Sequence, residues 1–143
     1  MRYVIDASVA VRWFTEEAAH PHADEILEHI VDQPGLFAVP ELFLYEVYSV
    51  LQRHHPDAVT IFSQFVEPIV CSDVLRYPMT EHIYTKADRF IKLGLTGYDA
   101  IYAALACELE GKWITFDKKA HDLISTEHVS INLFDVSLQL NTV

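Results

Sequence analysis

Basic residues are few in this chain: ten Lys and Arg stand against 21 Asp and Glu, a formal net charge of −11 over 143 residues. Proteins that grip nucleic acid through its backbone normally carry a basic face, so the balance argues against avid, passive nucleic-acid binding. The acidic surplus permits two other things, a pocket charged by a metal ion and a basic protein partner. Cysteine is nearly absent too. Cys71 and Cys107 are the only two, too few for a disulfide scaffold, and no Cys/His spacing suited to zinc occurs. Both lie in apolar contexts, which predicts buried free thiols. Four Gly and six Pro fall between periodic segments, leaving no linker, repeat or low-complexity stretch. No apolar run approaches the ~20 residues of a bilayer span. The N-terminus shows no basic region leading into an apolar segment, so a cytoplasmic location away from membranes is the expectation.

What is present is enough for a core. Apolar residues make up 51% and charged residues 22% of the chain, which predicts one domain over residues 1–143. Tyr3-Val4-Ile5-Asp6 has the continuous β-branched character of a short buried strand. A short helix is expected from Val9 to Phe14, and an amphipathic one from His22 to Asp32 with Ala23, Ile26, Leu27, Ile30 and Val31 recurring at helical spacing. Pro40 suits a helix start, with Glu41 to Arg53 helical. Pro56 and Pro68 bracket another helix, Asp57 to Val66. Ile69-Val70-Cys71 is expected as the second strand. Thr80 caps a helix to about Leu93, stopped by Gly94, and Thr96 caps one to about Glu110, stopped by Gly111. Lys112 to Phe116 and Val129 to Leu133 complete the strands. Strands separated by helices imply an α/β fold, a parallel sheet with helices on both faces. Ligands then bind beyond the carboxyl ends of the strands, where Asp6 and Asp117 stand.

Four carboxylates carry the chemistry. Asp6, Glu46, Asp99 and Asp117 are each the lone acid in or at the end of an apolar stretch containing no Lys or Arg. Each has an ordinary explanation alone: Asp6 as a turn residue, Asp99 in a capping box with Thr96, Asp117 as the cap of a following helix. Glu46 is harder to dismiss. No basic residue lies one turn away, and the apolar character of its helix marks that helix as buried. Two carboxylates about 4–5 Å apart repel by roughly 3–4 kcal/mol at an effective dielectric of 20. Gathered together, the four need protons or a cation, and hard oxygen donors select Mg²⁺ or Mn²⁺. The chemistry such a centre supports is phosphodiester hydrolysis by activated water.

Four segments share a family likeness. Val4-Ile5-Asp6-Ala7-Ser8, Pro40-Glu41-Leu42 followed by Glu46, Gly97 through Ala106 around Asp99, and Thr115-Phe116-Asp117 resemble the PIN-domain nucleases, and among them the VapC-type toxins of toxin–antitoxin pairs. The likeness spans essentially the whole chain, and the Asp99 segment is its most specific part. It implies a Rossmann-like three-layer α/β/α domain and a Mg²⁺- or Mn²⁺-dependent endoribonuclease acting on RNA. It further implies homodimerisation and inhibition by a cognate antitoxin. The family's acidic quartet falls on Asp6, Glu46, Asp99 and Asp117 as catalytic and metal-binding residues, with Asp117 the more peripheral. Ser8 and Thr115, two residues from Asp6 and Asp117, supply hydroxyls that can orient them. Arg12, Lys118 and Lys119 are the cations nearest in sequence for RNA contacts. Phe43, Tyr45 and Tyr48 are expected in the core or at a dimer interface.

Three other functions compete. Aspartyl-phosphate chemistry of the haloacid dehalogenase kind needs an Asp two residues after Asp6, where this chain has Ser8. A PIN-like module that binds without cutting would keep the fold while dispensing with the acids. General RNA processing would use the same chemistry in a housekeeping role.

Overall fold

Five short strands, each followed by a helical connection except the last, build one all-parallel sheet in the order β3-β2-β1-β4-β5. The computed structural model describes residues 1–140; residues 141–143 of the expected domain lie outside them. The elements run β1 (Tyr3–Ile5), α1 (Ala7–Ala10), α2 (Pro21–Asp32), β2 (Phe37–Pro40), α3 (Glu41–His54), α4 (Ala58–Ile61), α5 (Glu67–Val70), β3 (Leu75–Tyr77), α6 (Glu81–Lys92), α7 (Gly97–Glu108), β4 (Lys112–Thr115), α8 (Lys118–Ile124) and β5 (Ser130–Asn132). Helices cover both faces, so the central strands are buried and lack an apolar–polar alternation. Val4, Ile5, Phe37 to Val39, Trp113 and Ile114 are all closed to solvent.

Local signals place most of the helices. Thr80 and Thr96 accept the backbone N–H groups of Ile83 and Asp99 at 3.2 and 3.1 Å, fixing where α6 and α7 begin. Gly94, at φ +113°, takes the left-handed turn that ends α6. Gly111 serves a different need. A Cβ there would stand 1.7 Å from the Arg2 carbonyl oxygen, where the chain leaves α7 and enters β4 beside β1. Gly111→Ala is therefore expected to lower stability by about 1–3 kcal/mol. Urea unfolding checks this through a lower midpoint at unchanged slope, and an unaltered midpoint would contradict the close approach.

The strands depart from the sequence reading in two places. Ile69-Val70-Cys71 is not a strand: residues 67–70 are helical and Cys71 ends the turn. A short apolar run has no periodicity to separate strand from helix. The helix expected to close at Pro68 instead runs past it through a π-helical stretch, Phe62–Val66. Proline lacks an N–H and crowds the carbonyl four residues back, and a wider turn just before it relieves both conditions. On that side β1 pairs with β2, and β3 forms the edge beyond it; the two bring the strand count to five. Two burial expectations also change. Cys71 is exposed and Cys107 half-buried, both free. Helix α3 is half-solvated, with Phe43, Leu44, Val47 and Leu51 buried while Tyr45 is 67% and Tyr48 42% exposed.

Candidate functional site

Strand order reverses between β1 and β4: the chain moves outward from β1 through β2 to β3, then returns to the other side. Such a switch point opens a crevice at the carboxyl ends of the two strands. The register pairs Ile5 with Ile114, so Asp6 and Thr115 leave the sheet side by side. The Thr115 hydroxyl donates to Asp6 Oδ2 at 3.1 Å, and the Ser8 backbone N–H donates to the same oxygen at 3.2 Å. Trp113 Nε1–H reaches Asp6 Oδ1 at 3.3 Å. Asp6 is thus held on both oxygens, 7% exposed, with no cation among its partners. Burial raises its pKa, and the bonds from Ser8, Thr115 and Trp113 only partly offset that.

Of the two hydroxyls singled out in the sequence, that of Thr115 bonds Asp6 directly, whereas that of Ser8 lies 3.4 Å from Thr115 Oγ1 and Ser8 reaches Asp6 only through its backbone N–H. Thr115 Oγ1 also accepts the Asp117 N–H at 3.0 Å, and Ser8 Oγ accepts the Phe116 N–H at 3.1 Å. Asp117 is exposed and caps α8, accepting the Ala120 N–H at 2.9 Å. Its ordinary role is real, and it leaves the second carboxylate oxygen uncommitted.

Glu46 and Asp99 arrive from α3 and α7. Burial first, then repulsion from Asp6 and Asp99, raises the Glu46 pKa against the lowering bond from Tyr102. Asp99 is pushed up to about 6, by burial first and then by Asp6 and Asp117. Asp6 and Asp99 thus lie within electrostatic reach of Glu46, and Asp6 and Asp117 within that of Asp99. Carboxylates that are desolvated, mutually repelling and without a basic partner fit a hard divalent cation by donor type. Among the described residues no three His, Cys, Asp or Glu side chains group closely enough to hold one ion by themselves.

Tyr102 and Trp113 are the functional neighbours that the sequence reading passed over. The fully buried Tyr102 donates its hydroxyl to Glu46 Oε1 at 2.7 Å, and burial holds its own pKa well above the usual phenol value. Its ring stacks on Trp113 with centroids 5.8 Å apart. One slab of two rings thus ties Glu46 to Asp6. Spacing offered a hint: Tyr102 lies three residues after Asp99, on the same face of α7. The cations expected nearby are mostly engaged elsewhere. Arg12 lies 4.2 Å over the Phe116 ring and 5.1 Å from that of Phe134, donating to the Ala18 carbonyl at 2.8 Å. Lys118 pairs with Asp122 at 2.6 Å.

Comparison with known proteins agrees with this geometry. The PIN domain profile matches residues 3–124. Among solved structures, a toxin–antitoxin complex from Klebsiella pneumoniae superposes with a TM-score of 0.66 at 15% identity, covering 95% of this chain and 99% of that one. FitAcB from Neisseria gonorrhoeae gives 0.70 at 12% identity over 94% and 99%. VapC20 of Mycobacterium tuberculosis, a sarcin–ricin loop cleaving toxin, gives 0.60 at 14% identity over 84% and 93%. At these identities the likeness is one of fold. No curated protein sequence matches the chain.

Proposed function

The chain belongs to the PIN-domain family, whose members are generally nucleases, and from that premise we propose that it is a Mg²⁺- or Mn²⁺-dependent endoribonuclease, the toxin of a toxin–antitoxin pair. The observation that carries this reading is the crevice itself: four carboxylates from four segments, raised pKa values at Asp6, Glu46 and Asp99, and no basic residue among their hydrogen-bond partners. A bound divalent ion would supply a water made nucleophilic near neutral pH and would offset charge at the phosphate. Asp6, Glu46 and Asp99 would hold it, directly or through water. Asp117, at the exposed rim, would orient a water. Ser8 and Thr115 fix Asp6 for that task, and Tyr102 fixes Glu46.

Incubating purified, partner-free chain with structured RNA and Mn²⁺ tests the reading, with cleavage that chelator stops as the expected result. RNA bound but uncut under every divalent ion would move the assignment to a binding module. Tyr102→Phe removes only the hydroxyl facing Glu46. It should lower metal affinity and cleavage about 10–100-fold with the fold intact, measured by metal titration and by initial rates.

The partner reading follows the same frame. An antitoxin would present a basic or apolar segment to the acidic crevice. An apolar hollow lined by Pro40, Tyr77, Met79, Ile83, Ile101 and Leu105 offers a face for a second copy, and sedimentation of the full chain should report a homodimer. No helix among the described residues is long and apolar enough to cross a membrane.

A further inference from the structure

A nuclease with so few cations must place them well. Of its ten Lys and Arg, eight donate to a carbonyl or a thiol or sit in an ion pair. Among the described residues only Arg53 and Lys119 do neither. Arg53 lines a hollow together with Glu46, Ser49 and Tyr98. Glu46, Ser49 and Arg53 follow one another at helical spacing, so they form a stripe along one face of α3. Seven residues at 1.5 Å each separate Arg53 from Glu46 by about 10 Å of helix. That is too far for the two to pair, which leaves the guanidinium available. Facing the stripe stands Tyr98, 63% exposed, with Tyr45, 67% exposed, beside it.

We infer that Arg53 anchors a phosphate of single-stranded RNA next to the scissile one, with the Tyr98 ring as the wall against which the adjoining base stacks. The inference rests on the ribonuclease reading and names the positioning residue for it. A guanidinium suits the task because its planar fork binds phosphate bidentately and lies flat on aromatic rings. Base–aromatic stacking tolerates any base, so the subsite sets the strand's path and leaves sequence to other contacts. In a protein of net charge −11, Arg53 is the one of the two uncommitted cations that lines the hollow beside Glu46, so it draws an approaching strand to that side. Arg53 also lies in the last turn of α3, where a positive charge favours the helix dipole. That role alone would influence stability and leave RNA affinity and its salt dependence unchanged.

The test uses the full chain carrying Asp6→Asn, which blocks cutting, with a fluorescent single-stranded RNA in Mg²⁺ and a salt series. Adding Arg53→Gln should weaken binding about tenfold, the loss of one charge-assisted contact, and reduce the log–log salt slope by about 0.7. Arg53→Lys, which keeps the charge, should keep the slope. In steady-state cleavage by the chain with Asp6 intact, Arg53→Gln should act on KM and not on kcat. Equal thermal midpoints for the Arg53 variants exclude a folding effect. An unchanged affinity and slope in Arg53→Gln would overturn the inference while leaving cleavage, and the nuclease reading, standing. The same unchanged slope with weakened hold on a co-expressed antitoxin would reassign Arg53 to a protein carboxylate, also overturning it. RNA binding that depends on Arg53 in a chain that never cuts would support the subsite and sink the nuclease reading instead.

Discussion

Asp6→Asn is expected to lower RNA cleavage by at least about 10²–10³-fold, the scale set by removing one preorganised charged or polar group from a reacting centre. Asp6 is the most constrained of the four acids, with both oxygens fixed by Trp113, Thr115 and Ser8. Asn keeps the shape and can still accept from Thr115 and Ser8, so the strand end stays in place. The negative charge is what disappears. Burial makes that charge costly in the metal-free protein, but the Asn NH₂ would face the Trp113 indole N–H, donor against donor. The two effects oppose, and the variant's thermal midpoint should stay close to the parent's when no ion is present. Initial cleavage rates and thermal unfolding, measured on one preparation, check both halves. Wild-type cleavage by Asp6→Asn would remove Asp6 from the chemistry.

Stripping divalent ions should abolish cleavage, and the same treatment should expose a pH-dependent weakness in the fold. The folded Asp99 carboxyl titrates near 6 against an ordinary value of 3.8, so the folded state holds the proton more tightly than the unfolded chain. The stability this contributes is fully present below pH about 3.8 and is lost as pH rises through about 6. Raised values at Asp6 and Glu46 act in the same direction. The thermal midpoint of chelated protein should therefore fall as pH increases from mildly acidic to neutral. Adding Mn²⁺ at about 100 times its Kd stabilises by about 2.7 kcal/mol. For a domain of this size that is roughly 5–11 °C in midpoint. The gain should be larger above pH 6 than below it, since an ion binds the ionised acids and displaces their protons. A midpoint insensitive to Mn²⁺ at neutral pH would argue that no ion site exists here.

The parts of the fold that local chemistry specifies were legible. Thr80 and Thr96 mark helix starts through their own hydroxyls, and the apolar face of α2 repeats at helical spacing. Asp6 and Asp117 declared themselves by ending apolar strands. β2 and β3 were hidden for opposite reasons. Phe37 to Pro40 is buried on every side and only four residues long, so no period could develop, while Pro40 drew attention as a helix start. Leu75 to Tyr77 is a three-residue edge strand with Arg76 exposed, and its strand character comes from pairing with β2.

The sequence by itself determined which four acids stand unpaired in apolar surroundings, because pairing at helical or strand spacing is a local property and no Lys or Arg lies within reach along the chain. That holds for Asp6, Glu46 and Asp99; Asp117 ends its apolar strand but is exposed and is followed at once by Lys118 and Lys119. Tertiary structure alone decided what surrounds them. Tyr102 meets Glu46 across 56 residues and Trp113 meets Asp6 across 107, and Arg12 spends its guanidinium on two phenyl rings while Arg53 stays uncommitted. Such contacts depend on strand order and helix placement, which bring together segments that share no local signal, so the long-range partners of a charge become visible only once the chain has closed on itself.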